Sequence, residues 1–422
     1  MIPQTPVIAV IGLGYVGLPL AVAYSRKYQT IGYDINLARV KALKEYSDNT
    51  RETTSEQLHE AIDQHHLLIT SDETDLNKAN TYIVTVPTPI NEANQPDLEP
   101  LHSASALIGA HITKGDVVIY ESTTFPTCTE NYCAPIIEKV SGLKFNQDFT
   151  CGYSPERINP ADKTNKLENI TKITSGSTPQ TADYVDKLYN TILLNGTHRA
   201  PNMATAEMAK AIENAQRDTN IAFVNEIAML CSRIGIDTQA VLDAAGTKWN
   251  FIHMKPGLVG GHCISVDPYY LQYIGNKLGY TTDVINAARR TNEQVPHFIA
   301  DRLILEMAKK GKLIKDSKIL VLGCTFKENC PDTRNSKVFH IINDLVGYGA
   351  KITIFDPYAL TATLPKNVQS LHCKELTTDM TDFDAVVVAV AHDEFKDIQI
   401  PDSVITFDIK HVLPYNEHTL YL

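Results

Sequence analysis

Short apolar runs alternate with amphipathic stretches through the first half of the chain. Residues 7–11, 30–34, 81–86, 117–120 and 172–175 are rich in Val, Ile, Thr and Tyr and read as β-strands, whereas residues 37–46 and 129–140 carry helical spacing. That alternation predicts a parallel α/β domain. After Thr197 the pattern changes. From Met203 to about Arg233 there is no Gly or Pro, which predicts one helix far longer than the average of about 11–12 residues. Helical patterning continues to about Lys312. From Lys318 the alternation returns, with a run at 318–323, a helix around 337–348, a strand ending at Asp356 and a fully apolar run at 385–390. The expected architecture is therefore two open parallel-sheet domains joined by a central helical domain, with boundaries at 1–200, 201–312 and 313–422. There is no short-period repeat and no low-complexity linker.

Composition narrows the classes of function. The 422 residues are 43% hydrophobic and 21% charged, an ordinary globular balance, and the formal charge of −11 argues against a general nucleic-acid binder. The 8 cysteines form no CxxC pair and suggest neither a zinc ribbon nor a disulfide framework, so reduced thiols in the cytoplasm are expected. The 14 histidines show no ligand-spaced cluster, and no metal is expected. The apolar stretch from Val7 to Tyr24 lacks a basic leader and contains Gly12, Gly14, Gly17 and Pro19. Strand, turn and helix suit it better than a signal sequence or a membrane span, and no membrane insertion is expected.

The first strand runs directly into Gly12-Leu-Gly14-Tyr15-Val16-Gly17, and Asp34 closes the next strand, about 20 residues on, the spacing of a Rossmann-like dinucleotide site. Gly12 permits the tight turn, Gly14 lets a pyrophosphate approach the backbone, Gly17 lets helix pack on strand, and the helix N-terminus attracts phosphate charge. Asp34 can accept both ribose hydroxyls and repels a 2′-phosphate, so NAD is expected rather than NADP. A glycine-rich turn alone can bind nothing, but here strand, helix and acid are in register. Val86-Pro87-Thr88-Pro89 and Glu121-Ser122-Thr123-Thr124 follow further strands, at the edge where open α/β sheets bind ligands. Thr85, Pro87, Thr88, Ser122, Thr123 and Thr124 join Tyr15 and Val16 as expected cofactor contacts, although Thr and Pro are also ordinary turn residues there.

A second constellation surrounds Cys263. Flexible glycines, Gly257, Gly260 and Gly261, lead through His262 to the thiol, and a helical stretch opens at Asp267-Pro268. A cysteine near a helix N-terminus loses proton affinity and becomes a better nucleophile. Buried inert cysteines are nevertheless common, and Asp-Pro is a standard helix start. On the long helix Lys210 and Asn214 stand one turn apart, with Glu207 a turn before and Arg217 a turn after. Such a stripe more often faces water. Glu156, in Ser154-Pro155-Glu156-Arg157-Ile158-Asn159, offers a carboxylate for general-base work.

Together these residues resemble the UDP-glucose/GDP-mannose dehydrogenase family. The blocks GLGYVGLP, VPTP, ESTT, YSPERINP, EMAKAIENAQRDTNIAFVNE, GLVGGHCISVDPYYL and GCTFKENCPDTRNS follow the family's order through the whole chain. Their wording is most similar to the branch that oxidises UDP-N-acetylhexosamines for surface polysaccharides. The resemblance implies that Cys263 traps a C6 aldehyde as a thiohemiacetal, that a second oxidation gives a thioester, and that water cleaves it, with two NADH formed per sugar. It implies that Lys210 stabilises the oxyanion at C6, assisted by Asn214, and that Asp267 orients or deprotonates water. Glu156 would be the acid/base, with Thr124 holding a water. Lys327 would bind the nucleotide diphosphate and Arg334 would reach the cofactor. Glu156, Arg157, Asn159, Lys210, Asn214, Phe251, Gly257, Gly260, Gly261 and Lys327 would contact substrate. A homodimer or higher oligomer built on the central helices is also implied.

The chain departs from the plain UDP-glucose enzymes in having Arg157 where those carry an aromatic residue, and in a segment 249–253 one residue longer in register to the cysteine. Both differences are expected to alter the sugar pocket. The arginine that crosses between subunits in some members has no clear match. UDP-N-acetylmannosamine and UDP-glucose remain alternative substrates. Two other readings compete: a two-electron dehydrogenase, which needs no cysteine, and a non-catalytic NAD- or nucleotide-sugar-binding regulator.

Overall fold

The computed structural model describes residues 2–157, 167–373, 375–376 and 379–422. Contacts divide the chain into two compact units, Met1–Glu213 with Tyr269–Tyr280, and Asn214–Pro268 with Thr281–Leu422.

Among the described residues the first unit holds eight strands: β1 (Val7–Ile11), β2 (Gln29–Tyr33), β3 (Leu68–Thr70), β4 (Thr81–Val84), β5 (Val117–Tyr120), β6 (Thr150–Tyr153), β7 (Lys172–Gly176) and β8 (Thr197–Arg199). They form one sheet in the order β3-β2-β1-β4-β5-β6-β7-β8. Every pairing is parallel except β6 with β7, which run antiparallel. That one reversal departs from the purely parallel expectation, and β3 and β8, only 3 residues each, are too short to stand out in a hydrophobicity pattern. Ile8, Val10, Ile83, Val117 and Ile119 are buried in one core with Leu18 and Ala21 of the helix Gly17–Ser25. Covering the sheet with helices explains why its strands read as continuous apolar runs. The segment expected to be helical at 129–140 begins with a wider π-turn at Thr129–Cys133 before the α-helix Ala134–Ser141.

The second unit repeats the plan with β9 (Lys318–Leu322), β10 (Lys351–Phe355), β11 (His372–Cys373), β12 (Ala385–Val388), β13 (Ile405–Asp408) and β14 (Thr419–Tyr421). The order is β11-β10-β9-β12-β13-β14, parallel throughout. The helix Asp283–Lys309 packs Val295, Ile299, Leu303 and Met307 into the same core as Ile319 and Val321 of β9. Each such side chain contributes about 1.5–3 kcal/mol when fully buried. The helical segment and the second sheet thus share an interior.

The long helix runs Met203–Ile234, and the division between units falls inside it. Its polar stripe does not face water. Glu207, Lys210, Asp218 and Asn225 are buried, while Met208, Ile212, Phe223, Leu230 and Ile234 are exposed. Arg217 points outward, and the next residue, Asp218, takes the inward place.

Candidate active site

In the first sheet the strand order reverses between β1 and β4, and a crevice opens beyond the C-terminal ends of strands at such a switch point. The loops there are the two picked out in the sequence. Gly12 has φ +95°, and its carbonyl accepts from the Thr85 hydroxyl at 2.7 Å. A Cβ on Gly17 would lie 1.8 Å from the Gly12 carbonyl oxygen, so only glycine fits. A Cβ on Gly14 would meet nothing within 4 Å. Space is therefore open where a pyrophosphate needs to approach the backbone. Asp34 accepts from Leu13 N and Asn36 N, each at 2.8 Å, and its half-exposed carboxylate has further lone pairs for ribose hydroxyls. These features fit a dinucleotide. Thr85 lends its hydroxyl to shaping the glycine loop, and Ser122 donates to Val86 O at 2.6 Å, tying together the loops after β4 and β5. Pro87, Thr88 and Thr123 line the same strand ends, and the Thr88 carbonyl accepts from Tyr270 at 3.1 Å.

Thr124 is buried in the loop after β5. That loop is anchored by Glu207, whose carboxylate accepts from Thr127 N at 2.5 Å, Thr129 N at 2.9 Å and the Thr129 hydroxyl at 2.6 Å. Thr127 has φ +75°, a strained conformation for a β-branched residue, and Glu207 holds it there. Burial pushes the Glu207 carboxyl up to about 7 despite these donors. Lys210, one turn further along the helix, is also buried. Glu156 lies in the loop after β6, and its neighbour Arg157 pairs with Glu213 at 2.8 Å and donates to Thr171 O at 2.7 Å. The Arg157 guanidinium thus has partners within the protein. Asn159 lies outside the described residues.

In the second unit Cys263 is exposed, in a turn at 261–266 that leads into the helix Asp267–Lys277. Its carbonyl accepts from Val266 N at 3.0 Å and Asp267 N at 2.9 Å. Asp267 in turn accepts from the Asn214 side chain at 2.5 Å. The glycines before the thiol are held rather than flexible. A Cβ on Gly260 would lie 2.6 Å from Asn335 O, and one on Gly261, at φ +82°, 2.8 Å from the Phe326 ring. Asn335 also donates to Gly261 O and Ser265 Oγ, both at 2.8 Å.

Behind this turn runs a chain of buried polar groups. Asn225 clamps Gly257 through its N–H at 2.7 Å and its carbonyl at 3.0 Å, and it donates to Asn292 at 2.8 Å. Asn292 donates to Asp218 at 2.7 Å, and Arg289 joins Asp218 at 2.6 Å. Linked buried hydrogen bonds of this kind help to specify one geometry. Phe251 packs edge-on to His253 at 5.7 Å between ring centres.

The second sheet has its own switch point, between β9 and β12. There Lys327 lines a cleft with Gly260, Phe326, Lys337, Val390 and Lys410. Arg334 pairs with Asp332 at 2.6 Å and lies 2.9 Å from His262 Nε2. Burial and Arg334 together hold the His262 pKa below its usual value, against Asp332. Asp356 follows β10 as Asp34 follows β2, and it likewise clamps the first loop, accepting from Cys324 N at 2.6 Å and Thr325 N at 3.0 Å. Here the acid is sealed in with His392 at 3.1 Å.

Sequence reasoning missed Lys337, Lys410, Asp332 and the Asp218–Asn292–Asn225 chain. The partners of Lys337 and of the Asp218 chain lie tens of residues away, and for that chain only the Asn and Asp along the helices could have hinted at it.

A glycine loop and acid at one switch point, and an exposed cysteine on a braced turn beside a second sheet, define an NAD-dependent dehydrogenase of two Rossmann-like sheets. Models of the UDP-glucose/GDP-mannose dehydrogenase family match its NAD binding domain to residues 7–193, its central domain to 204–294 and its UDP binding domain to 320–415. The chain belongs to that family, and is an NAD-dependent nucleotide-sugar dehydrogenase. It is 47% identical over 422 residues to a UDP-N-acetyl-D-glucosamine 6-dehydrogenase of Salmonella typhi, covering 98% of each chain. A protein of the same description from Pseudomonas aeruginosa is 46% identical, covering 98% of this chain and 99% of its own. The solved UDP-D-ManNAc dehydrogenase of Pyrococcus horikoshii superposes with a TM-score of 0.88 at 30% identity, covering 98% of each chain. Among the described residues no helix is long and apolar enough to cross a membrane.

Proposed function

We propose that this chain oxidises the C6 hydroxyl of a UDP-N-acetylhexosamine, UDP-N-acetylglucosamine in the first place, to the uronic acid through a covalent intermediate on Cys263. The observation that carries the covalent step is the exposure of Cys263, the one exposed thiol of the eight, on a turn held in place by Asn335, Phe326 and the buried Asn225. The sugar is suggested by the two relatives at 46–47% identity and full-length coverage, both described as acting on UDP-N-acetyl-D-glucosamine.

Bound NAD⁺ supplies the hydride acceptor for both oxidations, held by Gly12, Gly14, Gly17 and Asp34. The Cys263 sulfur adds to the C6 aldehyde to give a thiohemiacetal, whose oxidation leaves a thioester. Asp267, held by Asn214, orients the water that cleaves it. Lys210 stabilises the oxyanion that develops at C6, and Glu156 serves as the acid/base, with Thr124 holding a water. Lys327 holds the diphosphate, and Arg334 reaches the cofactor. The product serves surface polysaccharide synthesis in the cytoplasm. The exposed apolar face of the long helix, Met208, Ile212, Phe223, Leu230 and Ile234, supports a homodimer built on the central helices.

The test is NADH formed per mole of limiting sugar nucleotide, run in parallel on UDP-N-acetylglucosamine, UDP-N-acetylgalactosamine, UDP-N-acetylmannosamine and UDP-glucose. Two equivalents with UDP-N-acetylglucosamine support the proposal. One equivalent removes the thioester step, and two equivalents with another sugar alone reassign the substrate.

A further inference from the structure

Lys172, the first residue of β7, is fully buried. Its ammonium lies 2.7 Å from Glu121 Oε2, 3.2 Å from the Pro155 carbonyl and 3.9 Å from Glu156 Oε2. Glu121, just past β5, is equally buried, and its other oxygen accepts from the Tyr189 hydroxyl. The Glu156 backbone N–H donates to the Glu121 carbonyl at 3.2 Å. One ammonium therefore faces two carboxylates, and the same two residues grip the Pro155–Glu156 peptide from both sides.

Other titratable groups among the described residues border this cluster. From the helix Pro179–Asn190 comes Tyr189, and from Gly17–Ser25 comes Tyr24, both phenols held protonated by burial and by the charge of Glu121. Tyr28 and Tyr184 lie beyond Tyr24. Beside Glu156, Arg157 is paired with Glu213. Burial pushes the Glu121 carboxyl up to about 7, against the pull of Lys172 and with the push of Glu156.

We propose that Lys172 is a positioning residue for Glu156, and that Glu121 is the counter-ion that divides its charge, so that the pair fixes where the Glu156 carboxylate sits and the pH at which it ionises. Removing the ammonium leaves two neighbouring carboxylates in a buried setting, where like charges raise the pKa. Removing the Glu121 charge instead gives all of Lys172 to Glu156 and lowers it. The two changes act in opposite directions, and a purely structural role predicts no such opposition. The proposal rests on the reading of Glu156 as the acid/base.

The experiment is the pH profile of kcat for the full-length protein with NAD⁺ and the sugar nucleotide it turns over, in the wild type, Lys172→Met, Lys172→Arg, Glu121→Gln and Glu156→Gln. Lys172→Met is expected to move the acid limb up by about one unit or more, Glu121→Gln to move it down, and Lys172→Arg to restore it. Limbs that stay within about 0.3 unit of the wild type, or that move together, overturn the proposal. Should Lys172→Met fail to fold, Glu121→Gln decides alone, since it is nearly isosteric: an unmoved or raised limb overturns the idea. Glu156→Gln separates the two layers. If it keeps full kcat, the acid/base reading falls and takes the proposal with it; if it loses kcat while the other variants leave the limb in place, the proposal alone falls.

Discussion

The Asn214 side-chain amide donates to the Asp267 carboxylate at 2.5 Å, across 53 residues of sequence. The contact fixes a charged acceptor at the first position of the helix that follows Cys263. If Asp267 directs water onto the thioester, Asp267→Asn keeps the shape and loses the charge. A fall in kcat of about 100-fold or more is expected, with little change in KM for the sugar. The enzyme should then carry an acyl group on Cys263 during turnover, visible as added mass on the intact protein. Unchanged kcat, or no added mass, removes Asp267 from the hydrolytic step.

Asp34 has two jobs in this geometry, bracing the glycine loop through Leu13 N and offering lone pairs to a ribose. Two substitutions separate them. Asp34→Asn retains an oxygen for Leu13 N, gives up the bond from the exposed Asn36 N–H and loses the charge that repels a 2′-phosphate, so discrimination against NADP should shrink by about 10-fold or more at a small cost in folding stability. Asp34→Ala loses the brace as well, and NAD affinity should fall further still. Titration of both cofactors against each variant checks this, and equal NADP discrimination in all three proteins would remove the ribose role.

Much of the fold was legible because it rests on local chemistry. The run 7–11, the glycine loop and Asp34 each carry their own signal, and the structure places strand, turn and acid within a residue of expectation. The long helix was legible in length but not in orientation. A stripe of Glu207, Lys210, Asn214 and Arg217 ordinarily faces water; Arg217 does, but the others turn inward with Asp218, toward partners no local pattern contains: Thr127 and Thr129 for Glu207, Asp267 for Asn214, Arg289 and Asn292 for Asp218. Likewise Gly260 and Gly261 read as flexibility before the thiol, whereas Asn335 and Phe326, more than 60 residues later, require their small size. Local periodicity sets elements, and long-range pairing sets the site.

That close packing makes Gly260→Ala a sharp probe. The added Cβ would sit 2.6 Å from a backbone carbonyl oxygen, which cannot swing aside as a side-chain tip does. Overpacking of this kind costs about 1–3 kcal/mol. The urea midpoint should drop, and kcat should drop with it because the turn carrying Cys263 must shift. A variant with wild-type stability and kcat would show that the turn is not held as described.

Glu207 supplies a pH dependence whose sign can be worked out. Its folded pKa is raised from the usual 4.5 to about 7, chiefly by burial. A carboxyl shifted upward favours folding most fully below its unfolded pKa, and that contribution is lost as pH rises through about 7. The expected loss between pH 5 and pH 8 is on the order of 2–3 kcal/mol from this group. Glu207→Gln, which cannot ionise, should be less stable than the wild type at pH 5 because its amide meets the Thr127 N–H, yet flatter across the range. Urea unfolding of both proteins at the two pH values measures the difference, and parallel curves would contradict it.

Lys327 and Lys337 line one cleft but are held differently, and the difference predicts opposite phenotypes. Lys337 is buried and paired with Glu293 at 2.7 Å, within the network that reaches Arg289 and Asp218. Removing Lys337 leaves Glu293 with Arg289 as its remaining partner, so Lys337→Ala should mainly destabilise the fold, by about 1–2 kcal/mol. Lys327 is only half-buried, in the loop after β9 at the switch point of the second sheet. If it holds the diphosphate, Lys327→Ala should raise KM for the sugar nucleotide about 10-fold or more and weaken inhibition by UDP by a similar factor, leaving kcat and the urea midpoint near their wild-type values. Parallel weakening of sugar nucleotide and UDP ties the effect to the shared diphosphate, whereas a loss confined to kcat would place Lys327 in the chemistry and not in binding.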